Sequence, residues 1–216
     1  MLKFEHTFWD RNPETLIAGV DEVGRGPLAG PVYASAVVIP SADADVFLEG
    51  PLAGLTDSKK LTGAKREYFH DLLFSMPQVR IGIGSASVEE IDEINILRAT
   101  HLAMRRAVLA LGDPQPDHIL VDGLPVKGLP RPSTAIVKGD AQSLLIAAAS
   151  VVAKVTRDRL MDRLDAQYPG YGFAAHKGYG TAAHLEAIRR LGVSPVHRRT
   201  FGPVADILAP KLDLGI

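Results

Sequence analysis

Cysteine is missing from the 216-residue sequence, and charge of neither sign is in clear excess. Without cysteine the chain has no disulfides, no thiolate nucleophile and no zinc–thiolate site, which fits a reducing compartment. The formal net charge is only −1, so no basic excess indicates a nucleic-acid partner. Composition alone therefore excludes thiol chemistry and leaves the class of partner open.

Long apolar runs are missing as well. The longest, residues 144–153, is about half of the roughly 20 residues that a membrane-spanning helix requires. The N-terminus, MLKFEHTFWDRN, lacks the apolar core of a signal peptide. We therefore expect no membrane association and a cytoplasmic location. Hydrophobic residues still make up 46% of the chain, enough for the core of one domain, with or without an appendage.

The hydrophobic pattern predicts an α/β protein. Strands are predicted at 16–20, 32–39, 79–86, 118–121 and 134–138, and helices at 62–76, 88–111, 141–167 and 181–191. The first two strands flank a short glycine-rich connection and are expected to pair antiparallel. We expect the order three strands, helix, strand, helix, strand, helix, with an extra helix between the second and third strands. Such an order is typical of a mixed sheet flanked by helices.

The longest predicted helix, 141–167, changes character halfway along. Its first half is apolar all round, which predicts burial. Its second half is charged and is expected to emerge into solvent, with Arg157, Asp158, Asp162 and Arg163 exposed.

The stretch from Ala18 to Gly30 combines features of a metal site and of a phosphate or sugar site. Asp21 and Glu22 stand side by side where the first predicted strand ends, and glycines follow closely on both sides of Arg25. Carboxylates favour Mg²⁺, Mn²⁺ or Ca²⁺, and glycines let a ligand approach backbone N–H groups. Neighbouring side chains of a strand point to opposite faces, so the two acids could share a metal only if the strand ends or bulges there. The alternative is a glycine-rich hairpin whose acids are merely solvated.

The segment GVDEVGRGPLAGPV resembles the opening motif of the type 2 ribonucleases H, the bacterial ribonuclease HII group. Two further motifs of that family follow in order, VDG and KGD, and the pattern extends from about residue 15 to about 204. The resemblance implies a ribonuclease H-like fold, with a catalytic domain at 1–168 and a helical C-terminal appendage at 169–216. It also implies a metal site of four catalytic acids, which are Asp21, Glu22, Asp122 and Asp140.

The two later acids also have ordinary structural explanations. Asp122 precedes Gly123 at the end of a predicted strand, where an Asp can simply make a turn, and Asp140 precedes the long helix, where Asp is a preferred N-cap. Four carboxylates nevertheless suit oxygen-seeking ions, and the cofactor implied is Mg²⁺ or Mn²⁺, two of which can activate water in phosphodiester cleavage. The repulsion among the acids would cost stability that a metal relieves, which favours the functional interpretation.

The resemblance further implies residues that bind the substrate. In that family the GRG motif, here Gly24, Arg25 and Gly26, reads the ribonucleotide at an RNA–DNA junction through backbone groups. The tyrosine of the KGY segment, here Tyr179, packs against the junction nucleotide, and the lysine of the DSKKL segment, here Lys59, contacts phosphate. Each of these features has an ordinary alternative. The GRG motif could be a surface turn, Tyr179 could be a core aromatic whose hydroxyl reaches solvent, and Lys59 could belong to a solvated lysine pair. Further phosphate contacts could come from Lys177, His184, Arg198 and Arg199.

The function implied is an endonuclease that cuts the RNA strand of RNA–DNA hybrids and single ribonucleotides in duplex DNA, acting as a monomer in DNA replication and ribonucleotide excision repair. A second hypothesis is another ribonuclease H-like phosphodiesterase, such as a junction resolvase, which would leave the GRG and KGY matches unexplained. A third is a non-catalytic nucleic-acid-binding module, against which the four acids argue because they would repel phosphate without metal. The type 3 ribonucleases H carry a long N-terminal extension, whereas only 20 residues precede Asp21 here.

Overall fold

A five-stranded mixed sheet forms the centre of the protein, whose computed structural model describes residues 1–209. The strands are β1 (Ile17–Val23), β2 (Val32–Val38), β3 (Arg80–Ala86), β4 (His118–Asp122) and β5 (Ser133–Ile136). Their order across the sheet is β3-β2-β1-β4-β5. The β1–β2 and β2–β3 pairs are antiparallel, and the β1–β4 and β4–β5 pairs are parallel. All five predicted strands and the mixed sheet are confirmed.

Helices cover both faces of this sheet. They are α1 (Lys3–Trp9), α2 (Ser41–Glu49), α3 (Gly63–Ser75), α4 (Val88–Leu109), α5 (Leu144–Gln167), α6 (Phe173–His176), α7 (Ala182–Leu191) and α8 (Gly202–Leu208). The core between α5 and one face of the sheet includes Ile17 and Leu120, and the core between α4 and the other face includes Val20 and Val121. The four predicted helices are confirmed, while α1, α2, α6 and α8 were not predicted individually. No helix within residues 1–209 is long and apolar enough to cross a membrane.

Helix α5 lies unusually close to β1. A β-carbon added to Gly19 would come within 2.1 Å of the backbone of Leu145, so only glycine fits at that position. Ser35 of β2 also donates its hydroxyl hydrogen to the carbonyl of Ala149, over 2.7 Å. The close approach fixes α5 against the strand that carries the first two acids.

Two of the expectations about helices were wrong. The described chain has no helix between β4 and β5, because residues 123–132 contain three prolines, and two glycines there, Gly123 and Gly128, adopt positive φ angles. The charged half of α5 does not emerge entirely into solvent either, since the side chain of Arg157 is fully buried.

The C-terminal helices share a small core of their own with the end of α5. That core includes Phe173, Ile188 and Val204, together with Leu28 and Met161 from the first part of the chain. Because Leu28 lies two residues after the GRG motif, the packing joins the C-terminal helices to that motif. The division into 1–168 and 169–216 stays a prediction, and residues 210–216 of the expected appendage lie outside the described residues.

Candidate active site

Asp122 is the common neighbour of the other three predicted acids. Burial raises the pKa of Asp21, Glu22 and Asp140, and the negative charge of Asp122 adds to the rise in each of them. Asp122 is the last residue of β4, which runs parallel to β1 with Val121 opposite Val20. The parallel register therefore places Asp122, at the carboxyl end of β4, beside the paired acids of β1.

Strand β1 neither ends nor bulges between Asp21 and Glu22, which was the condition for both acids to bind the same ion. Strand β1 continues to Val23 in regular antiparallel register, with Asp21 opposite Ser35 and Glu22 opposite Ala34. Asp21 therefore points toward α5 and Glu22 toward α4. Glu22 also lies 3.4 Å from the guanidinium of Arg25, whereas Asp21 faces the hydroxyl of Ser150 on α5.

Burial and crowding of like charges both act on these two carboxyls. Burial raises the pKa of Asp21 well above its usual range, the charges of Glu22 and Asp122 raise it further, and the hydrogen bond with Ser150 lowers it. Burial also raises the pKa of Glu22, while the charge of Arg25 opposes that rise. The metal-free site therefore holds its negative charge at a cost in free energy.

Asp140 lies in a 3₁₀ turn, Gly139–Ala141, and is not the N-cap of α5. Ser143 is the N-cap, because its hydroxyl accepts a hydrogen bond from the Ile146 N–H, and the helix begins three residues later than predicted. The turn is tied to β4 by the Gly139 N–H, which donates to a carboxylate oxygen of Asp122 over 2.6 Å. Burial and the charge of Asp122 raise the pKa of Asp140 to about 6. The ordinary explanation of Asp140 as a helix cap is therefore wrong.

A fifth acid, Asp57, lies close enough to Asp140 to hydrogen-bond to it and raise its pKa. Sequence reasoning noticed Asp57 only as part of the DSKKL segment. Its neighbour Lys59 is exposed beside the acids, in a small cleft that Asp57, Lys59, Lys60, Asp122, Lys138 and Asp140 line. The predicted phosphate-contacting lysine thus stands at the mouth of the acidic site.

The donor set suits a hard divalent cation. Within residues 1–209 no three His, Asp or Glu side chains are grouped closely enough to hold one ion as they stand. The other three acids, Asp21, Glu22 and Asp140, lie around Asp122 instead, with carboxylate oxygens as the available donors. A dication would offset the mutual repulsion of the four carboxylates, so the residues fit Mg²⁺ or Mn²⁺.

Two buried arginines hold the glycine-rich loop, residues 24–31, which connects β1 to β2 and follows Asp21 and Glu22. The Arg157 guanidinium donates to the carbonyls of Ala29, Pro31 and Lys177 over 3.0–3.1 Å. The Arg198 guanidinium donates to the carbonyls of Gly24 and Arg25 and, over 2.9 Å, to that of Gly30. The carbonyl groups of the loop are therefore turned inward, toward fixed positive charge.

Sequence reasoning missed the role of these arginines. Arg157 stands among other charged residues of α5, and Arg198 was a candidate for phosphate contact together with His184. Arg198 and His184 are both fully buried, so the expectation that they contact phosphate was wrong. Lys177 donates to Asp162 across the surface of α5, and Arg199 is exposed beside α4.

The predicted tyrosine lies against the predicted glycine motif. Tyr179 is 47% exposed, so it is not a core aromatic, and a β-carbon added to Gly26 would lie 3.5 Å from its ring. Gly24 could not accept a side chain, because its φ is +94° and a β-carbon would come within 2.3 Å of the Arg157 Nε. The structure thus brings Tyr179 against the GRG motif, which begins two residues after Glu22.

A larger cleft opens on the α4 side of the acids. It has a volume of about 850 Å³, and Glu22 and Asp122 are among the residues that line it. Its walls carry basic side chains and exposed apolar ones, among them Arg25, Arg98, Arg105, Lys127, Leu97 and Leu124. Basic walls beside an acidic centre suit a polyanion that is held by its phosphates and approaches the centre only with cations.

Comparison with known proteins gives a consistent result. The family model described as ribonuclease HII matches residues 18–204, close to the range of about 15–204 over which the motifs were followed. A ribonuclease HII from Ruegeria pomeroyi is 56% identical over 193 residues, which cover 89% of this chain and 78% of that protein. A match of this extent and identity is sufficient to assign a family.

Solved structures agree at the level of the fold. The ribonuclease HII of Archaeoglobus fulgidus, solved in a complex with PCNA, superposes with a TM-score of 0.71 at 25% identity and covers 87% of this chain and 95% of its own. The ribonuclease H2 of Pyrococcus horikoshii OT3 superposes with a TM-score of 0.68 at 29% identity, covering 89% of this chain and 97% of its own. Both likenesses confirm the predicted ribonuclease H-like sheet.

Proposed function

The chain belongs to the ribonuclease HII family, and from this premise we propose that it hydrolyses the RNA strand of RNA–DNA hybrids and cuts duplex DNA on the 5′ side of single ribonucleotides. The observation that carries the proposal is the shared neighbourhood of Asp122, whose charge reaches Asp21, Glu22 and Asp140. Four clustered acids, three of which have pKa values raised by burial and by the charge of Asp122, are a poor choice for stability alone.

In this proposal the four acids hold divalent cations, Mg²⁺ or Mn²⁺. Such ions, when bound, supply a nucleophilic water at neutral pH and neutralise charge that develops on the phosphate. The carboxylates must be deprotonated to serve as ligands, so binding of a cation would displace the protons that the raised pKa values of Asp21, Glu22 and Asp140 favour. Water attack would leave a 3′-hydroxyl and a 5′-phosphate.

The choice of bond is assigned to the surface beside the acids. We assign recognition of the sugar to the exposed surface of the glycine-rich loop, whose carbonyls are turned inward, and to the neighbouring ring of Tyr179. A site that hydrogen-bonds a 2′-hydroxyl rejects the analogue that lacks it, because its own polar groups are left unpaired. All of these residues come from one chain, which supports the proposal that the protein acts as a monomer.

The test is a cleavage assay on a duplex that contains one ribonucleotide, with and without millimolar Mg²⁺ or Mn²⁺. We expect metal-dependent cleavage on the 5′ side of the ribonucleotide and no cleavage of the all-DNA duplex. The matched variant is Asp122→Asn, which should abolish cleavage and reduce the rise in melting temperature that metal causes in the parent. An equal thermal shift in parent and variant would place the ion elsewhere, and equal cutting of the all-DNA duplex would point to a general phosphodiesterase.

A further inference from the structure

Three histidines lie together under the KGY segment, outside the acidic site. His184 is fully buried and His197 is 1% exposed, and their Nε2 atoms are 3.0 Å apart. His176 stacks on His184 with the ring centroids 4.3 Å apart. The rings of Tyr171 and Phe173 pack around this group. No part of the proposed cleavage reaction uses these imidazoles, so their arrangement calls for another explanation.

The hydrogen bonds assign the proton on each ring. The Ser194 N–H donates to Nδ1 of His197 over 3.0 Å, and the Ser194 hydroxyl, 2.7 Å from the same nitrogen, donates to it as well, so His197 carries its proton on Nε2 and donates it to His184. Nε2 of His184 is therefore an acceptor, and its Nδ1–H donates to the carbonyl of Tyr179 over 2.9 Å. The chain Ser194, His197, His184, Tyr179 thus has a donor and an acceptor at every step.

The neighbouring groups keep this chain neutral. The Gly178 N–H donates to Nδ1 of His176, and Nε2 of that ring donates to the Tyr171 carbonyl. Burial lowers the pKa of His197 to about 4, and burial also lowers the pKa of His184. A proton added to Nε2 of His184 would face the Nε2–H of His197, and one added to Nδ1 of His197 would face the Ser194 N–H, so protonation of either ring sets two donors against each other.

This hydrogen-bonded chain, called the relay below, ends on Tyr179, which borders the GRG motif. The Tyr179 carbonyl also accepts from the Thr181 N–H over 2.8 Å, and the Tyr179 N–H donates to the His176 carbonyl over 2.9 Å. The backbone of Tyr179 is therefore held on both sides, while its ring stays exposed beside Gly26. An exposed aromatic ring can recognise a nucleotide reproducibly only if its backbone is fixed from behind.

We propose that His184 and His197 are positioning residues, which form a neutral hydrogen-bond relay that fixes the Tyr179 backbone and so places its ring for recognition of the ribonucleotide. The inference rests on the proposed function, since it assigns the relay to the selectivity of that same reaction. It acts through Tyr179 alone and leaves the acids untouched. Loss of the relay therefore lowers selectivity more than it lowers cleavage in general.

The test compares initial rates on a single-ribonucleotide duplex and on a uniform RNA–DNA hybrid of the same length. His184→Phe keeps the stacked ring but removes the donor, and His184→Asn keeps an N–H donor near the position of Nδ1. The control is His70→Phe, which removes a buried histidine of α3 whose Nδ1 pairs with Asp71. Tyr179→Ala, alone and combined with His184→Phe, completes a double-mutant cycle.

We expect His184→Phe to lower the single-ribonucleotide to hybrid rate ratio about fivefold, as loss of one buried hydrogen bond would. His184→Asn should recover most of the ratio, His70→Phe should leave it unchanged, and His184→Phe should have no further effect on the ratio once Tyr179 is alanine. An unchanged ratio in His184→Phe, or an equal additional fall in the Tyr179→Ala background, overturns the proposal. Failure of the parent to cut either substrate would instead refute the proposed function.

A second measurement requires no substitution. Imidazole nitrogen NMR of the wild-type protein at pH 7 should show the Nδ1–H tautomer at His184 and the Nε2–H tautomer at His197. The Nε2–H tautomer at His184 would leave no proton for the Tyr179 carbonyl, and the proposal would fail even if His184→Phe did not fold.

Discussion

The ring of Tyr179 lies beside Gly26 at a distance that leaves room for one methyl group, since a β-carbon at residue 26 would be 3.5 Å from Cε1. Two residues earlier, Gly24 is closed to any side chain by the buried guanidinium of Arg157. The two glycines of the GRG motif therefore have different roles. Gly24 lets the loop fold over an arginine, and Gly26 keeps the surface beside the tyrosine open.

A matched pair of substitutions separates these two roles. Gly24→Ala strains a residue at φ +94° and collides with Arg157, so we expect it to lower the free energy of unfolding by roughly 2–4 kcal/mol. Gly26→Ala meets only an ordinary contact and should change stability by no more than about 0.5 kcal/mol. It should nevertheless lower cleavage of the single-ribonucleotide duplex about tenfold or more, because the methyl group fills the space beside the ring. Urea denaturation and initial rates check both halves, and a full-rate Gly26→Ala enzyme would contradict the second.

Tyr179→Ala should lose much of the rate on a duplex with one ribonucleotide while its affinity for plain duplex DNA stays unchanged. The reason is that the exposed phenol is assigned to the sugar and not to the phosphates. Tyr68→Ala provides the control, because Tyr68 is a 58% exposed tyrosine on α3. If both variants cut the duplex as fast as the parent, Tyr179 has no part in selectivity.

Arg157→Lys should destabilise the protein although it keeps the positive charge. A lysine cannot reproduce the planar fork that serves the carbonyls of Ala29, Pro31 and Lys177, and buried acceptors would lose their donors. We expect a loss of about 2–4 kcal/mol in the free energy of unfolding. Arg163→Lys, at an exposed position of the same helix, should be neutral. Equal stability of the two variants would show that the arginine fork is not needed.

Asp140→Asn should inactivate the enzyme and stabilise its metal-free form. A carboxyl whose pKa is raised to about 6 keeps a proton that the unfolded chain has already lost, so its presence costs stability increasingly from about pH 4 to 6 and fully above that range. Removing the carboxyl should therefore raise the unfolding free energy at pH 7.5 by roughly 1–3 kcal/mol and have little effect at pH 4. Denaturation at both pH values checks this, with Asp206→Asn on the surface of α8 as the control. A variant less stable than the parent at pH 7.5 would mean that Asp140 is structural.

Features that depend on local sequence were predictable, and features that depend on distant partners were not. The strands and the position of Asp122 were predictable, because hydrophobic runs that end in an acid depend on local pattern alone. The burial of Arg157 was not, since its partners Ala29 and Pro31 lie 128 and 126 residues away and its neighbours in α5 are charged. Asp140 was misread as a possible helix cap because Ser143, three residues on, is an equally good one. Long-range hydrogen bonds and competing caps have no local signature.

The most direct test of the account is analysis of the ends left by cleavage of a duplex that contains one ribonucleotide, in the presence of Mg²⁺ or Mn²⁺. The account predicts a single cut on the 5′ side of the ribonucleotide, with a 3′-hydroxyl on one product and a 5′-phosphate on the other, and no product from Asp122→Asn. A 2′,3′-cyclic phosphate would contradict it, because that end forms only when the 2′-hydroxyl itself attacks and the four acids have no water to activate.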